Sequence, residues 1–329
     1  MTQIKSLPAA GVAVLTAGGD APGMNAAVRA VVRTALGLGL RAHGVQRAFE
    51  GLAQGEIREI GARDVGGILQ RGGTVLQTAR YPEFAKPEVQ RAALEQLRGR
   101  GIGALVAIGG DGTMRGALAL HRLGLPVVGV PASIDNDVYG TDMAIGVDTA
   151  LNTILEAIDK LRDTASSHRR AFIVETMGRH CGHLALMSGI TSGAEMTLIP
   201  EQEVSAEEVA EAVRSAHERG KTHAIIVVAE GAKLRAAALK ERLDAMRLGF
   251  GFRVTILGHV QRGGRPSAWD RLLAARLGVA AVERLARGES GVMVGLQARD
   301  VVGVPLEEAG TRQRPVDLEY YRMARMLAR

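Results

Sequence analysis

The feature that most constrains this chain is an alternation of short apolar runs with longer amphipathic segments. The runs have the length and the β-branched content of buried strands; they are Val12–Leu15, Ala104–Ile108, Val127–Val130, Phe172–Val174, Ala224–Ala229 and Val254–Leu257. Strands that alternate with helices predict a parallel sheet covered by helices on both faces. Open sheets of this kind bind ligands beyond the carboxyl ends of their strands. We therefore expect the functional residues to follow the strands closely.

The amphipathic segments predict helices from the spacing of their apolar residues. Spacings of three and four mark one helix at Val28, Val31, Val32, Ala35 and Leu36 and another at Leu151, Ile154, Leu155, Ile158 and Leu161. The first of these is expected to start at Asn25. The stretch Ser205-Ala-Glu-Glu208 is a capping box, which predicts a helix that runs to about Gly220. A further helix is predicted by Leu272, Leu273, Leu277, Ala280 and Ala281.

Composition excludes several functional classes. The 329 residues are 47% hydrophobic, enough for one large domain or two smaller ones. The formal net charge is +6, but the basic residues are scattered and only 3% of residues are aromatic, which argues against nucleic-acid binding. The single cysteine, Cys181, excludes an intrachain disulfide and favours a reducing, cytoplasmic setting. The first residues lack a signal-peptide core and the apolar runs are too short to cross a bilayer, so we expect no membrane partner.

Two glycine-rich turns follow predicted strands. The first is Gly18-Gly-Asp-Ala-Pro-Gly23 and the second is Gly109-Gly-Asp-Gly-Thr113. Glycine lets the backbone approach a phosphate closely, and the helix that follows offers unpaired N–H groups. Neither turn matches the dinucleotide fingerprint or a Walker A loop, and a tight turn without a ligand is the alternative. Asp111 would suit Mg²⁺ held between a carboxylate and phosphate oxygens, or it would cap the next helix.

Other polar residues also follow strands. Asp135-Asn136-Asp137 could divide the work of a general base and an orienting group, or form an Asx-rich turn. Arginines suited to clamping phosphates, or to plain structural roles, stand at Arg170, Arg179, Arg253 and Arg262. Arg29 and Arg33 share a helix face and form either a second anion site or a solvated surface. The segment His180-Cys-Gly-His183 matches no common zinc pattern, so we expect no metal there.

Six motifs occur in an order that identifies a family. They are Thr16-Ala-Gly-Gly-Asp-Ala-Pro-Gly-Met-Asn25, Arg71-Gly-Gly-Thr74, Ile108-Gly-Gly-Asp-Gly-Thr113, Ser133-Ile-Asp-Asn-Asp137, Met177-Gly-Arg179 and Leu257-Gly-His-Val-Gln-Arg-Gly-Gly264. Together they closely resemble the bacterial ATP-dependent 6-phosphofructokinase family, from about residue 11 to about residue 300. Each motif is weak alone, but the ordered set is highly specific.

The resemblance implies an α/β fold with two doubly wound, Rossmann-like lobes, whose mostly parallel sheets are covered by helices and whose active site lies in the cleft between them. Residues 1–146 and 260–309 would form the ATP-binding lobe, and residues 147–259 and 310–329 the lobe that binds fructose 6-phosphate. The implied reaction is phosphorylation of fructose 6-phosphate at its 1-hydroxyl by Mg²⁺-ATP in glycolysis.

The resemblance also assigns roles to residues. Asp135 would be the general base, with Asp137, Arg179, Gly19 and Arg80 as the other catalytic residues. ATP would be bound by Gly19, Arg80, Tyr81, Gly110, Asp111, Gly112 and Thr113, and Asp111 would hold Mg²⁺. Fructose 6-phosphate would be bound by Ser133, Ile134, Asp135, Arg170, Met177, Gly178, Arg179, Glu230, Arg253, His259 and Arg262. Of these, Arg170 and Arg253 would come from a neighbouring subunit of a homotetramer.

The family further implies an effector pocket that binds ADP as activator and phosphoenolpyruvate as inhibitor. The matching residues are Arg29, Arg33, Arg162, Gly193, Glu195, Arg219, Lys221 and His223. The chain departs from the family pattern where an arginine is expected at Ala62 and an aspartate at Gly67, although Arg63 could substitute. We therefore expect effectors to bind with altered strength or selectivity.

Two small residues bear on the phosphoryl donor. Pyrophosphate-using relatives commonly carry aspartate at the position of Gly112 and lysine at that of Ala132, and both residues here are uncharged. This favours ATP. The alternatives that remain are a pyrophosphate-dependent enzyme, a non-catalytic sensor of sugar phosphates or nucleotides, and a side activity on another ketose phosphate such as tagatose 6-phosphate.

Overall fold

The computed structural model describes residues 11–168, 170–249 and 251–328. Within these ranges the strands are β1 (Gly11–Thr16), β2 (Arg41–Val45), β3 (Ile57–Glu59), β4 (Ile102–Gly109), β5 (Val127–Pro131), β6 (Arg170–Thr176), β7 (Met196–Leu198), β8 (Ala224–Ala229), β9 (Gly251–Ile256), β10 (Val292–Gln297) and β11 (Asp300–Pro305). The helices are α1 (Met24–Gly37), α2 (Ala48–Gln54), α3 (Pro87–Arg98), α4 (Asp111–Arg122), α5 (Val147–His168), α6 (His183–Ser192), α7 (Ala206–Glu218), α8 (Ala236–Ala245), α9 (Ala268–Ala286), α10 (Leu306–Thr311) and α11 (Leu318–Leu327).

The described residues form two compact units. The first contains residues 11–133, 137–149 and 262–314, and the second contains residues 134–136, 150–168, 170–249, 251–261 and 315–328. Each unit has its own sheet, of seven strands in the first and four in the second. The predicted class, a two-lobe α/β fold with mostly parallel sheets, is confirmed.

The first sheet has the strand order β11-β10-β5-β4-β1-β2-β3. Its pairs are parallel except for the antiparallel edge strands β3 and β11. The chain passes from β1 to β2 on one side and later returns to β4 on the other side, so the strand order reverses between β1 and β4. In open α/β sheets, such a reversal opens a crevice at the carboxyl ends of the strands. Both glycine turns begin at that place.

Helices cover both faces of the first sheet. On one face, Ala13 and Leu15 of β1 pack in a buried cluster with residues of α2, α3, α4 and α10, such as Phe49, Leu97 and Met114. Helices α1 and α9 pack against each other and against the sheet outside that cluster. Because both faces are buried, the strands read as continuous apolar runs.

The second sheet has the order β7-β8-β6-β9, and all of its pairs are parallel. Thr176 at the end of β6 lies opposite Ala229, and Glu175 lies opposite Ile256. The loops that follow β6, β8 and β9 therefore start at one edge of the sheet. These loops begin at Met177, Glu230 and Leu257, which all belong to predicted substrate-binding motifs or residues.

The sequence predictions of individual elements have mixed outcomes. All six predicted strands and all four predicted helices are present, and the capping box between Ser205 and Glu208 is confirmed by both of its hydrogen bonds. The last predicted strand is shifted, because β9 begins at Gly251 by pairing with Arg170 of β6 and ends before Leu257. Helix α1 begins at Met24 rather than at Asn25.

Five strands were not predicted, and their sequences explain why. β2 contains Arg41, His43 and Gly44, which interrupt its apolar pattern. β3 and β7 have three residues each. β10 and β11 form an antiparallel hairpin whose glycines, Gly295 and Gly303, break the runs of valine. Within the described residues, no helix is long and apolar enough to cross a membrane.

Candidate active site

The two glycine turns lie side by side at the carboxyl edge of the first sheet. Ala17 N donates to Ile108 O over 2.9 Å, which keeps the two strand ends paired up to the turns. Gly18 has a φ of 84°, in the left-handed region that glycine adopts without strain. A β-carbon on Gly18 would lie 3.6 Å from Thr113 Oγ1 and 4.0 Å from Gly110 N. The backbones of both turns therefore face a common small space.

The Thr113 hydroxyl is a buried polar group in this space. Thr113 is 2% exposed, and its Oγ1 has no hydrogen-bond partner within the described part of the chain. A buried hydroxyl without a partner costs about 1–3 kcal/mol, so a ligand oxygen at this place would relieve that cost. The N-cap residue of α4, Gly110, supplies no side-chain cap, which leaves the start of the helix open to an anion. These features suit a phosphate group.

Asp111 is the first residue of α4, where its charge complements the helix dipole. It does not cap the helix, as one interpretation of the sequence had it, because the N-cap is Gly110. Its Oδ2 accepts a hydrogen bond of 2.7 Å from Arg115 Nη1, which also donates to Gly310 O over 3.1 Å. No cluster of three or more His, Cys, Asp or Glu residues in the described ranges could hold a metal. Mg²⁺ at Asp111 would therefore need phosphate oxygens and water as its other ligands.

The segment that leads to Arg80 is tied to the first glycine turn. Asn25 Nδ2 donates to Arg71 O over 3.0 Å and to Gly72 O over 3.2 Å. Beyond this clamp, Arg80 is exposed and Tyr81 is partly buried against the core of the first unit. The sequence indicated only a helix start at Asn25, and the burial of its amide, at 1% exposure, becomes visible only in the structure.

Arg262 lies against the first glycine turn. A β-carbon on Gly19 would be 2.2 Å from Arg262 Nη1, so the guanidinium occupies the space that a side chain at residue 19 would fill. The Nε atom of Arg262 is buried and has no partner among the described residues. The first unit thus presents a guanidinium, a hydroxyl and backbone N–H groups at the end of β1 and β4, and each can bind a phosphate oxygen.

Asp135 and Arg179 form an ion pair in the second unit. Arg179 Nε lies 3.3 Å from Asp135 Oδ2, and the side chains are 47% and 5% exposed, respectively. Arg179 has a φ of 51°, which is unusual for a residue with a side chain. Glu230 Oε1 holds this strained turn by accepting from Arg179 N over 2.8 Å and from Gly178 N over 3.2 Å. The structure thus brings together Asp135, Gly178, Arg179 and Glu230.

Gln261 connects two further loops of the same unit. Its Oε1 accepts from Met177 N over 3.2 Å, and its Nε2 donates to Gly258 O over 2.9 Å. The residue is fully buried, whereas its neighbour His259 in the 3-10 helix Gly258–Gln261 is exposed. Gln261 was not among the predicted site residues. Its position inside the Leu257–Gly264 motif was the available signal.

Three more predicted residues stand at the end of β5. Ser133 Oγ donates to Asp137 Oδ1 over 3.1 Å, and Arg314 N donates to Asp137 O over 2.9 Å, all in the first unit. Ile134 is buried, at 4% exposure. Asp137 is thereby held by the backbone and by Ser133, which fits an orienting role better than that of a mobile base.

Arg170 and Arg253 lie away from the Asp135–Arg179 pair. Arg170 opens β6, and six residue steps of roughly 3.3 Å, or about 20 Å, separate it from Thr176 at the site end of that strand. Arg253 is exposed on the edge strand β9, where it lies opposite Phe172. Within one chain, the structure does not bring these two arginines to the Asp135 cluster.

The predicted effector residues of the second unit include a charged cluster. Lys221 Nζ donates to Glu195 Oε1 over 2.8 Å, and Glu195 is buried. Burial and the charges of Arg162 and Lys221 lower the pKa of His223, and the charge of Glu195 opposes them. Arg162 also donates to Ser192 O. Arg162, Glu195, Lys221 and His223 therefore form a group with two permanent cations around one buried carboxylate.

The other effector residues have separate contacts. Gly193 ends α6 in a left-handed conformation, and Arg219 donates to Ser215 Oγ over 2.6 Å and to Ala328 O over 3.2 Å. In the first unit, Arg29 and Arg33 lie on α1, and Arg33 Nη2 donates to Ala62 O over 3.1 Å. The backbone of the segment that departs from the family pattern is thus in contact with a predicted effector residue.

Comparison with known proteins assigns the chain to a class. The phosphofructokinase family model matches residues 11–285, so the chain belongs to the phosphofructokinase family. Within that family, an ATP-dependent 6-phosphofructokinase 1 of Thermus thermophilus is 52% identical over 323 residues, which cover 96% of this chain and 99% of the relative. The ATP-dependent 6-phosphofructokinase of Bacillus thuringiensis is 50% identical over 317 residues, with coverage of 96% and 99%.

Solved structures show the same fold. A phosphofructokinase structure from Saccharomyces cerevisiae superposes with a TM-score of 0.87 and 41% identity; the match covers 91% of this chain but only 45% of the yeast chain. A pyrophosphate-dependent phosphofructokinase from Marinobacter aquaeolei superposes with a TM-score of 0.85, covering 94% of this chain and 86% of that one. Its identity of 22% supports a shared fold and no more.

Proposed function

We propose that this protein transfers the γ-phosphoryl group of ATP to the 1-hydroxyl of fructose 6-phosphate and acts in glycolysis. Relatives that are 50–52% identical over 96% of the chain bear the name of this activity. The observation that carries the proposal is the buried Asp135 carboxylate paired with Arg179. Phosphoryl transfer needs a group that accepts the hydroxyl proton and positive charge beside it, with accurate alignment of both.

In this proposal the second unit acts on the sugar phosphate. Asp135 takes the proton of the 1-hydroxyl, and Arg179 orients the carboxylate. Glu230 fixes the loop of Met177, Gly178 and Arg179 for contact with the sugar. His259 binds the 6-phosphate, since its imidazole carries an N–H donor of the kind that a phosphate requires.

The first unit acts on the nucleotide. The backbones of Gly19, Gly110 and Gly112 approach the phosphates, and the Thr113 hydroxyl donates to one phosphate oxygen. Arg80 and Tyr81 bind the remainder of ATP. When bound, Mg²⁺ supplies positive charge to the phosphates, and Asp111 is the residue that would hold it. Arg115 would then release the Asp111 carboxylate.

Two small residues support ATP as the donor rather than pyrophosphate. Gly112 is exposed at the second glycine turn, where a larger acidic side chain would compete with a nucleotide. Ala132 is 1% exposed, and its methyl side chain adds no cation to the site.

The test is product formation from fructose 6-phosphate by the purified protein with Mg²⁺, using ATP and pyrophosphate side by side. We expect turnover with ATP alone and its loss when EDTA removes Mg²⁺. Turnover with pyrophosphate would refute the donor assignment. Absence of turnover with both donors would refute the kinase function and favour a sensor.

Effector regulation is part of the proposal. ADP as activator and phosphoenolpyruvate as inhibitor would bind near Arg162, Lys221 and His223, with strength altered by Ala62 and Gly67. Gly67 has a φ of 69°, which an aspartate at this position would adopt only with strain. A titration that leaves the fructose 6-phosphate dependence unchanged with either effector would refute this regulation.

The lowered pKa of His223 makes effector binding measurable as proton uptake. Burial and the neighbouring cations lower this pKa, so an added anion restores it towards its ordinary value of 6.5. We expect the protein to take up protons on binding phosphoenolpyruvate near pH 7, by calorimetry in buffers of different ionisation enthalpy. In H223N the binding enthalpy should no longer depend on the buffer. A dependence that persists in H223N would assign the proton to another group.

A homotetramer is the last part of the proposal. Its support is the distance of Arg170 and Arg253 from the Asp135 cluster of their own chain, which leaves them free to serve another subunit. Sedimentation would test the assembly. Complementation would test the shared site, because mixing inactive R170A and D135A chains should restore part of the activity only if subunits share residues.

A further inference from the structure

His183 has a place in the structure that the proposed function does not use. It is the first residue of α6 and is buried at 8% exposure. His180, three residues earlier in the same loop, is exposed. The sequence pattern gave neither histidine a role beyond a rejected metal site. A buried histidine at the start of a helix next to Arg179 requires another explanation.

His183 contacts the segment of the catalytic aspartate. Its Nε2 lies 3.2 Å from Asn136 Nδ2, and Asn136 is fully buried. Asn136 has a φ of 54°, a left-handed conformation that asparagine tolerates better than most residues. Because Asn136 stands between Asp135 and Asp137, its backbone conformation helps to set the direction in which the Asp135 side chain points.

The same loop holds Asp135 as well. Arg179 contacts the Asp135 carboxylate, and His183 contacts the neighbouring amide of Asn136. Glu230 and Glu201 fix this loop through its backbone, by accepting from Arg179 N and Gly182 N. The side chains of Arg179 in this anchored loop and of His183 at the start of α6 thus hold two consecutive residues of the aspartate segment.

We propose that His183 is a positioning residue, which holds Asn136 in its left-handed conformation and so aligns the Asp135 carboxylate with the sugar hydroxyl. This inference rests on the proposed function of Asp135. The Asn136 amide N–H donates to His183 Nε2 in the tautomer that carries its proton on Nδ1, because Nε2 then offers a lone pair. A side chain that keeps an acceptor near this place can replace the imidazole in part, and an apolar side chain cannot.

The experiment compares H183L and H183Q with H180L as the matched control from the same loop. A misplacement of about 1 Å costs about 10²-fold in rate. We expect kcat of H183L to fall by roughly 10- to 100-fold, while KM for both substrates stays within about threefold. H183Q should recover most of kcat, and H180L should match the wild type. Calorimetry should show unchanged binding of fructose 6-phosphate to H183L.

A second variant covers the case in which H183L does not fold. N136G keeps the left-handed backbone accessible and removes the side-chain amide. Like H183L, it should lower kcat and leave KM for both substrates nearly unchanged. An unchanged kcat in H183L or N136G, or an equal loss in H183L and H180L, overturns the inference. A loss of thermal stability with normal kcat does so too, because it would show a purely structural role. An inactive wild type overturns both the proposed function and this inference, whereas an active wild type with a normal H183L overturns the inference alone.

Discussion

The carboxyl edges of the two sheets are built in different ways. At the end of β1 and β4, the first sheet presents backbone and small residues: Gly18, Gly19 and Gly110 with the Thr113 hydroxyl. At the end of β6, the second sheet presents long side chains that hold the backbone of the following loop, since Glu230 accepts from Arg179 N and Gln261 accepts from Met177 N. The first edge suits a charged group that N–H donors surround, and the second suits a molecule whose hydroxyls must be distinguished.

This difference teaches where each edge is vulnerable. A backbone site is disturbed by added atoms, because space near the turn is its essential property. A side-chain site is disturbed by lost atoms, because each removed group leaves a buried partner unsatisfied. Variants that add or remove single groups therefore test the comparison directly.

The largest effect is expected from removing the base of the second region. D135A should lower kcat by roughly 10²- to 10⁴-fold, because the hydroxyl proton loses its acceptor. Binding of fructose 6-phosphate, measured by calorimetry, should be retained. D159A, which removes an exposed carboxylate from α5, is the control and should match the wild type. Normal turnover of D135A would mean that the base is another residue.

The next effect compares one added methyl group in each region. In G231A the β-carbon would lie 1.9 Å from Arg179 O, a backbone atom that cannot move alone, whereas in G19A it would meet the mobile end of Arg262 at 2.2 Å. We expect G231A to lose about 1–3 kcal/mol of unfolding free energy and to raise KM for fructose 6-phosphate.

G19A should keep its stability and change only the kinetics, because it displaces a side chain rather than the backbone. Thermal unfolding and steady-state kinetics of both variants distinguish the two cases. Unchanged kinetics of G19A would contradict the sensitivity of the first edge to added atoms, and a stable G231A would contradict the clash with Arg179 O.

The smallest effect is expected from a buried carboxylate in the first unit, the unit whose sheet edge presents backbone groups. Asp270 of α9 is fully buried and accepts from Gly146 N, Thr149 N and Thr149 Oγ1, at 2.9, 2.8 and 2.6 Å. Replacement by asparagine puts an N–H group towards these donors, so D270N should lose about 1–2 kcal/mol of unfolding free energy. Denaturant titration measures this loss.

The pH dependence of this loss of unfolding free energy tests the protonation state of Asp270 in the folded protein. Burial raises the pKa of Asp270 above its ordinary 3.8, against the hydrogen bonds from Thr149 and Gly146. The folded protein therefore holds this proton more tightly than the unfolded chain. The stability that the group contributes is complete below pH 3.8 and declines as pH rises through the raised pKa. The difference between wild type and D270N should shrink over that range, and a difference that grows with pH would refute the assignment.

Part of the fold and of the site could be predicted because the evidence is local. An apolar run such as Ala224–Ala229 indicates a buried strand wherever it lies, and Ser205 with Glu208 indicates a helix start within four residues. β2 escaped prediction because its burial comes from its neighbours β1 and β3 and not from its own sequence, which contains Arg41 and His43.

The sequence by itself determined the family, the α/β class and the motifs that follow the strands, because these depend on residue order and on spacing along the chain. Only the tertiary structure decided which side chains meet: His183 with Asn136, Gln261 with Met177 and Asp270 with Thr149. These partners are 47, 84 and 121 positions apart. Their contacts arise when packing closes long loops around buried polar groups, and no local pattern records that pairing.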